Sequence, residues 1–226
     1  TIEDIRGEES KYTIDKDSFE ILKDVPTETT YDTFDSDEEV QRIYYPECEA
    51  LLLKHLPTAH KIVIFDHTVR RQNRDGFRQP ANRTHIDQTP KAGLERVKLH
   101  IKDPEEAEKL LQGRYRIVNV WKPLNGPLQS SPLAYSTSTS VHPDDLVPVE
   151  HRYPNRSGES MAVKYNPNQR WLYLSGMENS ERLLLKCVDS AEGVSKGLPH
   201  TAFWDTRTPA GAKPRESVEV RALVFG

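Results

Sequence analysis

The chain has 226 residues, 35% of them hydrophobic and 29% charged, with a formal net charge of −4. That length supports one domain with a real core, and the charge argues against a broad nucleic-acid-binding face while leaving a local basic patch open. No apolar run approaches the ~20 residues of a membrane helix. The start Thr1-Ile2-Glu3-Asp4 has no signal-peptide pattern, and Cys48 and Cys187 are too few for a disulfide framework. A cytoplasmic protein with buried free thiols is expected.

Residues 1–35 are polar, with Tyr12, Phe19, Ile21 and Leu22 enough for one short strand. Ser36-Asp37-Glu38-Glu39 is a capping box, and Val40, Ile43, Tyr44, Leu51 and Leu52 keep near-helical spacing through about Leu56. Pro46 should kink or divide that helix. Residues 61–65 form a short β-branched run, a buried strand. Residues 66–83, rich in Arg, Asn and Gln, read as a loop that delivers the chain to His85. Asp103 as N-cap and Pro104 at the first position open a second helix, which runs to about Leu111 and ends at Gly113.

From residue 114 strand candidates follow one another: 114–121, 133–137, 146–153, 161–165, 171–175, 183–189, 201–204 and 217–225. Turn signals separate them, among them Asn125-Gly126, Asn155-Arg156-Ser157-Gly158 and Asn166-Pro167-Asn168. Many short strands with such punctuation indicate a β-sandwich or barrel. With no repeat or linker, residues 1–226 read as a single domain, mostly β, with helices 36–56 and 103–112 on its outside.

Three short segments carry the chemistry. In His85-Ile86-Asp87 an extended backbone points residues i and i+2 to one face, so both side chains reach one metal. His200, on the second-to-last strand, supplies a further imidazole. Two imidazoles and one carboxylate bind Fe(II) on one face and leave the other positions open. A second His-x-Asp, His142-Pro143-Asp144, reads as a turn, because proline restricts its own backbone and that of its predecessor. Arg215-Glu216-Ser217 follows the distal histidine, and an arginine there can clamp the far carboxylate of 2-oxoglutarate with a two-pronged contact.

Arg221 is the rival to Arg215. The alternation Arg215, Ser217, Glu219, Arg221, Leu223, Phe225 puts all of them on one face unless a bulge intervenes. A buried arginine needs a partner; 2-oxoglutarate suits one of the two, and Glu219 or Asp189 the other. Asn119, a weaker candidate, would either donate to the C1 carboxylate of 2-oxoglutarate or serve in structural hydrogen bonding. From spacing alone, one core histidine and two surface polar residues remain an alternative to the metal site.

Several segments in this order resemble a known family. They are Phe65-Asp66-His67-Thr68-Val69-Arg70-Arg71, His85-Ile86-Asp87-Gln88-Thr89-Pro90, Ile117-Val118-Asn119-Val120-Trp121-Lys122-Pro123-Leu124, Leu185-Lys186-Cys187-Val188-Asp189-Ser190, Pro199-His200-Thr201-Ala202-Phe203 and the run from Pro214 to Phe225. The chain resembles the fungal and bacterial AsaB-type hydroxylase/desaturases, Fe(II)/2-oxoglutarate oxygenases that include gibberellin-desaturase-like and cephamycin-methoxylation-protein-like members. The resemblance implies a double-stranded β-helix (jelly-roll, cupin-like) core and His85, Asp87 and His200 as iron ligands. It also implies Arg215 and Ser217 on 2-oxoglutarate, and O2 as co-substrate.

The expected reaction is C–H abstraction on a secondary metabolite or amino-acid-derived molecule, ending in hydroxylation, desaturation or oxidative cyclisation. Arg78 and Gln79 would meet an anionic substrate group, and Trp121, Leu223 and Phe225 would line the substrate end. His67 is expected to be structural. The partner is a small molecule, with no nucleic acid and no membrane; assembly as a homodimer stays open. Relatives usually have more chain before Thr1, so a missing N-terminal stretch is expected. A non-catalytic jelly-roll binding protein and a zinc hydrolase with the same ligand set are the competing readings; in the hydrolase Arg215 would have no task.

Overall fold

Runs of β-branched and leucine residues set the strands, and capped polar-apolar segments set the helices. The computed structural model describes every residue except Pro57 and Asn155, and of Arg156 only the backbone. Its elements are β1 (Ile2–Asp4), α1 (Ile14–Asp17), β2 (Phe19–Leu22), α2 (Asp37–Glu39), α3 (Tyr45–His55), β3 (Lys61–Arg71), β4 (His85–Ile86), α4 (Pro90–His100), α5 (Pro104–Leu111), β5 (Tyr115–Pro123), β6 (Leu133–Ser136), β7 (Leu146–Tyr153), β8 (Arg156–Val163), β9 (Trp171–Tyr173), β10 (Arg182–Asp189), β11 (His200–Ala202) and β12 (Glu216–Phe225).

The strands form two facing sheets, one of seven strands in the order β1-β9-β6-β11-β4-β8-β7 and one of five in the order β2-β10-β5-β12-β3. Among the described residues, β1–β9 is the one parallel pair of strands. This is the expected double-stranded β-helix. Alternation along β5, β10 and β12 sends Ile117, Trp121, Leu183, Leu185, Leu223 and Phe225 into the space between the sheets, against Leu133, Tyr135 and Leu172. The opposite set, Val118, Val120, Leu184, Val218, Val220 and Val224, is covered by Val40, Tyr44, Cys48 and Leu52 of the α2–α3 helical segment. Burying each such side chain contributes about 1.5–3 kcal/mol, so α3 is what keeps the outer face of the five-stranded sheet dry.

Several local expectations are refined. Ser36 Oγ accepts from Glu39 N–H as the capping box requires, but the helix is divided by a π-helical turn at Val40–Tyr44. Pro46 has no N–H to offer the preceding turn, and the Tyr45 N–H reaches back five residues to the Val40 carbonyl. The strand expected at 61–65 continues to Arg71, so the loop is confined to residues after it. α4 was not anticipated; Thr89 caps it, its Oγ1 accepting from Ala92 N–H at 3.1 Å. The strand expected at 161–165 begins at Arg156, and the turn expected around Asn155 falls on a residue outside the described set.

β12 alternates without interruption, because the bulge lies on its neighbour. Arg221 pairs with Asp66 and Ala222 with Ile64, leaving Phe65 as the extra residue of β3. Asp66 and Thr68 therefore face the inter-sheet space at one end of β3, and Val63 faces the core at the other.

Candidate metal centre

β4 is only two residues long and sits between β11 and β8, with His85 directly opposite His200. The two imidazole rings lie 4.4 Å apart, tilted by 51°. Asp87 follows the end of β4 and reaches toward the other sheet. Its Oδ1 is 3.2 Å from His85 Nε2 and 3.8 Å from His200 Nε2. Among the described residues, His85, Asp87 and His200 form the one cluster of three side chains able to hold a metal ion, with ligand atoms all within 4.8 Å of one another.

Both histidines are oriented by the backbone. His85 Nδ1–H donates to the Arg83 carbonyl at 2.7 Å and His200 Nδ1–H to the Leu198 carbonyl at 3.0 Å. Each Nε2 is thereby left with its lone pair toward the cluster. Burial, helped by the nearby His85, pushes His200 down to about 4, so it is neutral at pH 7. Burial alone would lower His85 as well, but the Asp87 carboxylate and the Arg83 carbonyl outweigh it and raise its pKa. For Asp87 burial acts upward; His85, Arg221 and His200 overcome it and hold the carboxyl well below the usual carboxylate range. One carboxylate and two imidazoles with free Nε2 atoms are a donor set that fits a divalent iron.

Of the two roles open to Asn119, co-substrate donor or structural hydrogen bonding, its contact is of the second kind. Its Nδ2 donates to Asp87 Oδ2 at 2.8 Å. Arg221 is equally occupied, with Asp87, Asp66 and Glu219 all accepting from it. Asp189, the other carboxylate considered for it, is bound instead by Arg114 and Lys186.

Arg215 is in the opposite state. It is 2% exposed, its Nη1 donates to the Ser131 carbonyl at 2.9 Å, and its guanidinium lies 5.9 Å from the Trp121 ring centre. Among the described residues its Nε has no acceptor, and the buried Ser217 Oγ beside it in the alternation has no partner either. Burial lowers Arg215 to about 10, which still leaves it cationic. A buried guanidinium without a carboxylate beside an orphaned hydroxyl is costly unless an anion joins them. These two residues fit the C5 carboxylate of 2-oxoglutarate.

A cavity of about 420 Å³ opens onto His85 and Asp87, and Arg78, Asp66, Met161 and Arg221 also line it. Gln79, Trp121, Leu223 and Phe225 do not. Gln79 instead clips the loop after β3, its Oε1 accepting from Asn73 N–H and its Nε2 donating to the Phe77 carbonyl. Leu223 and Phe225 are fully buried core residues, and Trp121 forms a wall beneath Arg215. A larger apolar cavity of about 830 Å³, lined by Ile86, Val141, Leu146 and Cys187, shares Gln88 and Met161 with the first but touches none of the three ligands.

His142 belongs to an exposed turn, where its Nδ1 accepts from Asp144 N–H. His67 bonds Tyr45 and Asp37 on the outer side, a structural role. Sequence reasoning expected the two strands β7 and β8 but not that their Val149, His151, Ser160 and Met161 wall the cavity. No spacing marks them; only the pairing of β8 with β4 brings them in.

Comparison with known proteins agrees with this geometry. A family model described as an oxidoreductase/YMDC permease-like domain matches residues 1–225; among the described residues no helix is long and apolar enough to cross a membrane. The chain is 38% identical to the hydroxylase/desaturase poxK of Penicillium oxalicum, over all of this chain and 78% of that protein. It is 43% identical to the hydroxylase/desaturase asaB of Aspergillus flavus over 53% of this chain and 59% of that one. Its fold is similar to the solved structure of the iron and alpha-ketoglutarate-dependent endoperoxidase NvfI, with a TM-score of 0.92 and 31% identity over 100% of this chain and 84% of that one.

Proposed function

This chain belongs to the AsaB-type hydroxylase/desaturase family of Fe(II)/2-oxoglutarate-dependent oxygenases, and on that premise we propose that His85, Asp87 and His200 hold its iron and that Arg215 with Ser217 holds its co-substrate. The enzyme is an Fe(II)/2-oxoglutarate-dependent dioxygenase that acts on a small molecule. The observation that carries the residue assignment is the buried, carboxylate-free Arg215 with its orphaned Nε, beside the orphaned Ser217 hydroxyl.

When bound, iron and 2-oxoglutarate supply the oxidising chemistry: O2 is reduced as 2-oxoglutarate is decarboxylated to succinate, and a substrate C–H bond is cleaved. The protein's own part is binding, orientation and exclusion of water. His85 and His200 present Nε2 because their Nδ1–H groups are tied to carbonyls. Arg215 aligns the co-substrate from its far end, with Trp121 and the Ser131 carbonyl fixing the guanidinium plane. The 420 Å³ cavity receives the substrate over His85 and Asp87, with Arg78 at its rim available to an anionic group. Substrate placement in that cavity sets whether the product is an alcohol, an alkene or a ring. The buried, unpaired Cys48 and Cys187 support a cytoplasmic setting, and residues 1–226 act as one oxygenase domain on this reading.

The test is anaerobic addition of Fe(II) and 2-oxoglutarate, followed by the weak visible charge-transfer absorption of the chelate. The parent protein is expected to develop it. His85→Ala, Asp87→Ala and His200→Ala should not, and should lose succinate formation, while His142→Ala behaves like the parent. Full iron binding by Asp87→Ala would sink the ligand assignment.

A further inference from the structure

The two oxygens of Asp87 have different surroundings. Oδ1 faces His85 and His200 at 3.2 and 3.8 Å. Oδ2 accepts two hydrogen bonds from the other sheet, from Asn119 Nδ2 at 2.8 Å and from Arg221 Nε at 3.2 Å. Arg221 does not swing freely, because Nη1 donates to Asp66 Oδ1 at 2.8 Å and Thr68 Oγ1 at 3.1 Å, and Nη2 to Glu219 Oε1 at 2.6 Å. Its guanidinium plane is thus fixed by acceptors on β3 and β12. Register explains the arrangement: Asp66, Arg221 and Asn119 are direct cross-strand neighbours on three adjacent strands. The bulge at Phe65 keeps this row on the inner face.

Resting on the metal-centre reading above, we infer that Arg221 and Asn119 are positioning residues that hold Asp87 to a one-oxygen contact with the metal. A carboxylate left to itself can chelate through both oxygens. To do so here, Oδ2 would have to abandon two donors, one of them charged, in a buried site where lost hydrogen bonds are not replaced by water. Held through Oδ1 alone, Asp87 occupies one coordination position instead of two, and the position spared serves the reactants. Arg221, with its donors committed to carboxylates of the chain, is then a support of the metal site and not a co-substrate clamp.

The test uses Mn(II) alone as a spectroscopic probe on Asn119→Ala, Arg221→Lys and Asp87→Ala, with near-ultraviolet circular dichroism to select folded protein. Lysine keeps the charge of Arg221 but loses its fork. Both positioning variants are expected to bind Mn(II) roughly ten- to a hundredfold more weakly and to show a changed electron paramagnetic resonance line shape. Folded variants with the parent's affinity and spectrum would overturn the proposal, as would lower thermal stability accompanied by unaltered Mn(II) binding. Parent-like binding by Asp87→Ala would instead overturn the metal centre itself, and this inference with it.

Discussion

Arg215, just before β12, and Arg221 within it lie six positions apart, yet their surroundings differ completely. Arg221 is saturated by Asp66, Asp87 and Glu219, whereas Arg215 has a carbonyl and an aromatic ring for company and an Nε with nothing to donate to. Hydrogen bonds to charged groups contribute about 1.5–3 kcal/mol each, a roughly ten- to hundredfold effect on binding. Arg215→Lys is therefore expected to raise the KM for 2-oxoglutarate by that factor while Fe(II) affinity stays close to the parent's. A co-substrate titration at saturating iron decides it; an unchanged KM would remove Arg215 from the site. At this scale i, i+2 spacing singled out His85 and Asp87 as candidates and the Arg-x-Ser order singled out Arg215, because both signals are local; His200 entered only through its place on a late strand. Asn119 stayed open between a co-substrate donor and structural hydrogen bonding because the acceptor it meets, Asp87, comes from the opposite sheet, which no spacing along β5 reveals.

Among the elements, the divided helix was legible from Pro46, although the form of the division, a π turn at Val40–Tyr44, follows from how the backbone re-pairs around the missing N–H. α4 was overlooked despite Thr89-Pro90, a sound cap followed by a first-turn proline. It begins three residues after Asp87, and Thr89 Oγ1 is tied to Glu159 at 2.6 Å, so α4 anchors the loop that bears the ligand. Gly93 lets this helix lie against β10: a Cβ there would meet Val188 Cγ1 at 2.8 Å and Cγ2 at 3.1 Å. Overpacking of this kind costs about 1–3 kcal/mol. Gly93→Val should lower the midpoint of urea unfolding accordingly, and an unchanged midpoint would contradict so close a contact.

For the molecule as a whole, the N-terminal segment is held to the five-stranded sheet by more than apolar packing. Asp189, at the end of β10, accepts from Arg114 at 3.0 and 2.6 Å and from the fully buried Lys186 at 2.8 Å, and Arg114 also holds Asp15 of α1 at 2.5 Å. This network fastens the N-terminal segment to the five-stranded sheet. Burial acts to raise the Asp189 pKa, but the hydrogen bonds from Arg114 and Lys186 prevail and hold it below 3.8. The lowered pKa means the contribution is present above pH 3.8 and is lost as pH falls through the still lower native value. Removing one partner of a buried ion pair costs about 3–5 kcal/mol, so Asp189→Asn should lower Tm at pH 7. Between pH 4 and pH 2 its Tm should then fall less than the parent's. Parallel Tm curves over that acid range would refute the role given to Asp189.

The amino-acid sequence alone decided the strand-rich architecture, the capped helices and the His85–Asp87 pair, since each rests on spacing of two to four residues along one stretch of chain. It also carried the family, through the order of motifs from Phe65 to Phe225. Tertiary structure alone decided which arginine is spent on carboxylates and which is left for an anion, that Asn119 serves Asp87, that the β7–β8 hairpin walls the cavity, and that Gln79, Leu223 and Phe225 stand away from it. Those outcomes depend on register between strands and on contact across two sheets, and both are fixed by packing among residues far apart in the chain.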